Sequence, residues 1–307
     1  MKRSKIDFWG IGAQKCGTTW LYYNLDKLPE FNLPPIKELH YFDRSNKYPS
    51  PNILSESKLN KRLNKEYFKA ALRFVFLSLK QKKINNVKFY LKWYFSNYND
   101  KWYLGLFKNY RGIKGEITPS YSILNKSDIS KMYKMSPDSK LVLMLRNPIE
   151  RAWSHFCHVK KRESSYNIKL ETNEDILNFM NSESQILRSD YLRTINNFTS
   201  VFPKEQLLIC FYDAIIDDPS GLLKKVISFL GVNKEVNIQK SNFKKALNVS
   251  VKIECPEEIK SFLKKKYHDQ IKQLSDQYGG YFNKWYEDTY DLKSNNPNKK
   301  LLEIMKI

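Results

Sequence analysis

The sequence predicts an α/β domain: a doubly wound, mainly parallel central sheet with a phosphate loop after its first strand, flanking helices and a helical insertion. Three observations carry that expectation. Short apolar runs alternate with amphipathic stretches along most of the chain, the pattern of strands joined by helices. The first run leads into "GIGAQKCGTTW" (10–20), a glycine turn followed directly by a helix-like segment. Two later runs each lead into a helix start marked by proline, at Asn147-Pro148 and Asp218-Pro219.

Taken in order, "IDFWGIG" (6–12) reads as a buried strand and "TTWLYYNLDKL" (18–28) as the helix after its loop. "IKGEIT" (113–118), "KLVLMLR" (140–146) and "QLLICFY" (206–212) are further strand candidates. Pro148 falls at an early helical position, and Asp218 is placed as an N-cap. Cys255-Pro256-Glu257-Glu258 opens a long C-terminal helix with an acidic first turn and lysines in its middle, in keeping with the helix dipole. Residues 52–105 differ: rich in Lys, Asn, Phe and Tyr and helical in period, they read as an insertion packed over the sheet. Their aromatics, Trp93, Tyr94, Phe95 and Trp102 among them, suit core packing or sugar stacking. A single domain over 1–286 with a polar, loosely held tail at 287–307 follows.

Composition narrows the function classes. With 41% hydrophobic and 14% aromatic residues in 307, the chain can bury a large core, which excludes a disordered protein. The formal charge of +21 suits a polyanionic partner, but a lysine-rich composition alone would also produce it. No nucleic-acid reader motif accompanies the charge, so nucleic acid is not the expected partner. The four cysteines, Cys16, Cys157, Cys210 and Cys255, form no pair at metal-ligand spacing; reduced thiols and no metal site are expected. No signal-peptide run follows the basic N-terminus, and no apolar stretch approaches the ~18–20 residues of a membrane helix. The expectation is a soluble, cytoplasmic chain whose oligomeric state the sequence leaves open.

The glycine loop is where chemistry begins. From Gly12 to Thr19 it resembles a nucleotide-phosphate loop, yet Thr18 stands where such a loop puts its lysine, and Lys15 lies inside. Amides at a glycine turn and a helix N-terminus bind phosphate, and Thr18 and Thr19 add hydroxyls. An ordinary strand-to-helix turn is the competing reading. The run at 140–146 ends in Arg146 where a kinase-type site would place a magnesium-binding aspartate, which argues against a P-loop kinase or NTPase. Arg146 and Ser154, in "RNPIERAWSHF", put a guanidinium and a hydroxyl near the same end of the sheet, suited to a second, separate phosphate.

Taken together, "QKCGTTWL" and "LRNPIERAWSHF" resemble the donor motifs of sulfotransferases that use 3′-phosphoadenosine 5′-phosphosulfate (PAPS). "PPIKELHYFD" (34–43), "WYLGLFKNYRGIKGEITPSY" (102–121) and the stretch from Ser189 to Val232 resemble the glycan branch, including the heparan sulfate enzymes. The resemblance runs over roughly residues 6–285 and fits the insertion poorly. It implies a sulfuryl transfer from PAPS to a hydroxyl or amino group, probing first a saccharide acceptor and second a small molecule, with 3′,5′-adenosine bisphosphate as product. It assigns Lys15, Cys16, Gly17, Thr18, Thr19 and Trp20 to the 5′-phosphosulfate, with Lys15 serving the leaving phosphate, and Arg146 and Ser154 to the 3′-phosphate. Trp20 matches an adenine-stacking position of some members and reads equally as core. Glu38 matches the catalytic glutamate of the glycan branch. His40 is its rival, and in an extended 37–42 both would share one face. Two departures stand out: Ile117 replaces a lysine found in some heparan enzymes, and the loop that closes over the 3′-phosphate is absent, with Lys244 and Lys245 as stand-ins or as plain solvated lysines.

Overall fold

The structure is a computed structural model that describes residues 6–52, 54–55, 65–108, 111–163, 170–232, 253–292 and 304–306. Its sheet grows from the apolar runs. β1 (Phe8–Gly12), β4 (Lys140–Leu145) and β5 (Leu207–Phe211) are buried almost throughout, because helices cover both faces and no alternation with polar residues is needed. With β2 (Phe31–Asn32), β3 (Ile113–Ile117) and β6 (Ile304–Lys306) the order is β2-β3-β1-β4-β5-β6. All neighbours pair in parallel except β5 and β6, which run antiparallel. The fold is therefore a mainly parallel α/β sheet, as the sequence predicts. β1 sits between β3 and β4, so the chain leaves it first towards one side and later returns to the other. Such a switch opens a crevice at the strands' carboxyl ends.

Each helix start expected from a proline is present. α6 (Pro148–Lys160) begins with Asn147 accepting from the Ile149 amide at 3.0 Å. α11 (Pro219–Leu230) is capped by Asp218, which accepts from the Gly221 amide at 2.9 Å, and it ends at Gly231. α12 (Glu257–Tyr278) follows Pro256. Between these lie α1 (Thr18–Asp26), α5 (Lys126–Met135), α7 (Asn173–Asn181), α8 (Glu183–Ser189), α9 (Tyr191–Thr199) and α10 (Tyr212–Asp217).

The insertion is helical: α2 (Lys65–Lys80), α3 (Ile84–Phe95) and α4 (Asp100–Leu106). It divides in two by burial. α3 and α4 send Phe89, Tyr90, Trp93, Trp102 and Tyr103 into the core, where Trp93 and Trp102 meet at 5.6 Å between ring centroids. Those rings pack, so their role is the bland one. α2 keeps most of its large apolar side chains in solvent. The expected tail needs correcting: α13 (Tyr281–Tyr290) runs past residue 287 with Thr289 buried, and β6 pairs with β5. Its polar composition hid a helix whose Tyr281, Trp285 and Thr289 recur on one face. Cys16, Cys157 and Cys210 are buried free thiols, and Cys255 is a half-buried one.

Candidate active site

The loop after β1 is shaped by two glycines. Gly12, at φ +144, lies so close to the turn after β3 that a Cβ would stand 2.6 Å from the Pro119 carbonyl oxygen. Gly17, at φ +90, caps α1, and a Cβ there would stand 2.5 Å from Ile215 Cδ1. Between them the Ala13 amide donates to the Met144 carbonyl at 2.6 Å, tying the loop to β4. Lys15 also takes a left-handed backbone, at φ +70. No side chain caps the N-terminus of α1, and its first turn holds no acidic residue. The helix thus keeps its amide donors and positive dipole end for an external anion. Thr18 is buried and Thr19 half-buried at this end.

The second motif is bolted to the first. The Cys16 thiol lies 3.8 Å from the Tyr191 hydroxyl, and that hydroxyl donates to the Arg146 carbonyl at 2.7 Å. Burial pushes the Cys16 thiol up to about 11, so the side chain stays a neutral brace. Arg146 places its guanidinium 4.4 Å from the centre of the Tyr212 ring and donates from Nε to Glu150 at 2.9 Å. Ser154 is half-buried on α6, one turn beyond Glu150. Trp20 is 1% exposed and has no open face for a nucleobase; its placement is that of a core residue.

Positive charge converges here. Burial first, then the charges of Arg146 and Arg162, hold the Lys15 pKa below its ordinary value. His158 is pushed down to about 4 by burial and by Lys15 and Arg162, while Glu38 pulls the other way. Lys15 thus lies in the field of Arg146 and Arg162, and His158 in that of Lys15, Arg162 and Glu38. Beneath them Arg151 is fully buried, donating to Ser189 at 3.0 Å and to Gln185, with no carboxylate partner among the described residues.

Glu38 approaches from the segment between β2 and α2. This stretch is not extended: Glu38 and His40 both adopt left-handed backbone, at φ +67 and +52. The two side chains nonetheless meet, with His40 Nε2 at 3.6 Å from Glu38 Oε2. His40 Nδ1 lies 2.7 Å from Asp43, to which the Ser120 hydroxyl also donates at 2.5 Å. Burial would lower the His40 pKa, but hydrogen bonds to Asp43 and Glu38 outweigh it and raise it to about 9. Burial would raise Glu38, but the His40 contact and then Lys37 hold it at about 2. At neutral pH the pair is imidazolium and carboxylate, so His40 has no lone pair to act as a base.

The segment is held from below by Glu116, fully buried on β3. It accepts from the hydroxyls of Tyr103, Tyr121 (2.9 Å) and Thr118 (2.7 Å) and from the Leu39 amide (3.3 Å). The sequence reading passed over Glu116, Lys37, Arg151, His158 and Arg162. A carboxylate inside the five-residue strand "IKGEI" was the visible signal for the first. In a chain with 53 lysines and arginines, nothing marked out the basic ones. Lys244 and Lys245 lie outside the described residues.

The family model of the sulfotransferase domain matches residues 5–294. The chain belongs to that family. PAPS is the donor this family generally uses. Over 141 residues it is 28% identical to heparan sulfate glucosamine 3-O-sulfotransferase 6 of Mus musculus, covering 44% of this chain and 40% of that protein. Over 156 residues it is 26% identical to heparan sulfate glucosamine 3-O-sulfotransferase 3B1 of Homo sapiens, covering 47% and 38%. The chain thus spans about two fifths of the length of the curated relatives it matches. In fold it is similar to a sulfotransferase from Alicyclobacillus acidocaldarius, with TM-score 0.60 at 20% identity, covering 88% of this chain and 94% of that one. Among the described residues no cluster of His, Cys, Asp and Glu converges as a metal site, and no helix is long and apolar enough to cross a membrane.

Proposed function

We propose that this sulfotransferase takes PAPS as its donor and moves the sulfuryl group to a hydroxyl or amino group of a saccharide, with Glu38 as base and Lys15 at the leaving phosphate. The observation that carries the reading is the convergence of Lys15 and Arg146, which follow the adjacent strands β1 and β4 and are joined through Cys16 and Tyr191, at the uncapped N-terminus of α1, with Glu38 and Lys15 both acting on His158. Two anionic groups fit that arrangement. The loop amides, Lys15, Thr18 and Thr19 suit a 5′-phosphosulfate, and Arg146 with Ser154 suits a 3′-phosphate. Cys16 and Gly17 contribute backbone, and Trp20 contributes packing beneath.

Transfer then needs little covalent help from the protein. The acceptor's oxygen or nitrogen forms a bond to sulfur in line with the breaking bond between sulfur and the 5′-phosphate oxygen. Lys15 neutralises the charge arriving on that oxygen. The acceptor's proton passes to Glu38, whose pKa of about 2 makes it a weak base. Proton transfer is therefore late, after the forming bond to sulfur has made the proton acidic. A saccharide is favoured over a small acceptor by the similarity to two glycan-acting relatives and by the basic chain.

Thermal unfolding with 3′,5′-adenosine bisphosphate, beside AMP and ATP–Mg²⁺, tests the donor. At ~100 times its Kd the bisphosphate should add ~2.7 kcal/mol of stability, and Arg146→Ala should abolish the gain. Stabilisation by ATP–Mg²⁺ but not by the bisphosphate would return the site to the kinase reading. Incubation with labelled PAPS and either heparan-type oligosaccharides or phenols then separates the acceptor classes.

A further inference from the structure

The helical hairpin formed by α2 and α3 carries an apolar surface that the catalytic reading leaves unused. On α2, Phe68, Leu72, Phe76 and Leu79 recur at helical spacing and all stand in solvent, Phe76 at 67% exposure. The opposite side of the helix makes the contacts with the protein: Ala71 and Ser78 are buried, and Phe74 stacks on Tyr90 at 5.1 Å. α3 repeats the arrangement. Phe89, Tyr90 and Trp93 face the core, while Ile84, Leu91 and Phe95 form an outer stripe. An edge-on contact of Phe68 with Phe95, 6.1 Å between centroids, joins the two stripes at one end of the hairpin. Leu72, Phe76 and Leu79 also line a shallow depression with Val75 and Arg73.

What the surface meets is indicated by its flank. Lys69, Arg73 and Lys80 form an exposed row on α2 directly beside the apolar stripe, and Lys88 interrupts the stripe of α3. From residue 65 to 95 the only acidic residue is Glu66. A row of aromatic and aliphatic side chains edged by cations, on a helix too short to span a bilayer, matches a helix that lies in a membrane interface. A second copy of the chain would need acidic residues opposite the basic row, and in a self-complementary contact the hairpin offers a single one, Glu66, against Lys69, Arg73, Lys80 and Lys88. We propose that the α2–α3 hairpin docks the protein on an anionic lipid surface, with the apolar stripes at the acyl boundary and the basic row among the headgroups.

Flotation of the full chain with phosphatidylcholine vesicles, and with phosphatidylcholine–phosphatidylglycerol vesicles, tests this. The wild type should float with the anionic vesicles and not with the neutral ones, and added salt should release it. Phe76→Glu with Leu72→Glu should lower partitioning about ten-fold or more. Lys69→Glu with Arg73→Glu should lower it several-fold. Thermal shift by 3′,5′-adenosine bisphosphate should be unchanged in both variants, so a failed donor site and a failed docking surface give different results. No flotation with anionic vesicles, or equal flotation with neutral ones, would overturn the proposal. So would sedimentation of the wild type as a dimer that Phe76→Glu dissociates, since another copy would then cover the stripe.

Discussion

Glu38 and His40 show how local charge bears on the base proposed for the transfer. Each was a candidate by sequence, and spacing could not separate them, because their relation depends on left-handed backbone at both positions. Geometry separates them: His40 sits between two carboxylates and keeps its proton, which leaves Glu38 ionised. Replacing Glu38 by Gln should lower kcat by about 10²–10⁴ while the bisphosphate thermal shift stays at its wild-type size; an unchanged kcat would remove Glu38 from the mechanism. His40 also makes a stability prediction. Its folded pKa of about 9 lies above its unfolded value of 6.5, so its contribution is complete below pH 6.5 and lost as pH rises through 9. Glu38, held at about 2 in the folded state against 4.5 unfolded, contributes above pH 4.5 and changes nothing in that window. Urea unfolding between pH 6.5 and 9 should therefore show a loss of stability in the wild type that His40→Gln lacks. Parallel slopes in the two proteins would mean that the imidazolium is not held by Asp43 and Glu38.

At the scale of elements, β3 acts as the platform for a segment that has no regular structure of its own. Glu116 gathers three hydroxyls and the Leu39 amide in a site sealed from water. Its removal leaves those donors buried without an acceptor, so Glu116→Ala should destabilise by about 2–5 kcal/mol. Loss of kcat should accompany the destabilisation, because Leu39 separates Glu38 from His40. Glu116→Gln, which keeps an acceptor oxygen, should cost less. Bisphosphate binding should survive both changes, since the phosphate loop is anchored on β1 and β4 instead. A variant that lost donor binding before catalysis would contradict this division of labour. β1 and β4 were legible because each is an apolar run followed by a glycine turn or a helix-starting proline, and β5 because it is apolar throughout, although a short helix precedes its proline. The segment 37–43 was not legible in its backbone, since no periodicity announces a left-handed Glu or His. β2 and β6 were missed for a plainer reason: two and three residues are too few to carry an alternating pattern.

For the whole molecule, the sheet order decides why motifs more than a hundred residues apart form one site. Lys15 follows β1 and Arg146 follows β4; adjacent parallel strands deliver both to the same end, and the Cys16–Tyr191–Arg146 contacts fix their spacing. That much could be read from the two motifs and the alternation of elements. The contributions of Arg151 and Arg162 could not, because the chain is basic throughout: burial sets Arg151 apart, and only its nearness to Lys15 sets apart the exposed Arg162. Concentrating cations in this way loads the free protein with repulsion that a tetrahedral dianion should relieve. Sulfate stabilises most proteins through exclusion from their surfaces, so a higher Tm in sulfate is not by itself informative. The comparison between variants is. Matched for ionic strength against chloride, sulfate should raise the Tm of the wild type more than that of Lys15→Ala or Arg146→Ala, because binding adds to exclusion only where the cluster is intact. Lys69→Ala and Arg73→Ala, which remove equal charge from the outer hairpin, should keep the wild-type increment. If all the variants gain equally from sulfate, the cations after β1 and β4 do not form an anion seat, and the lowered pKa of Lys15 reflects its burial alone.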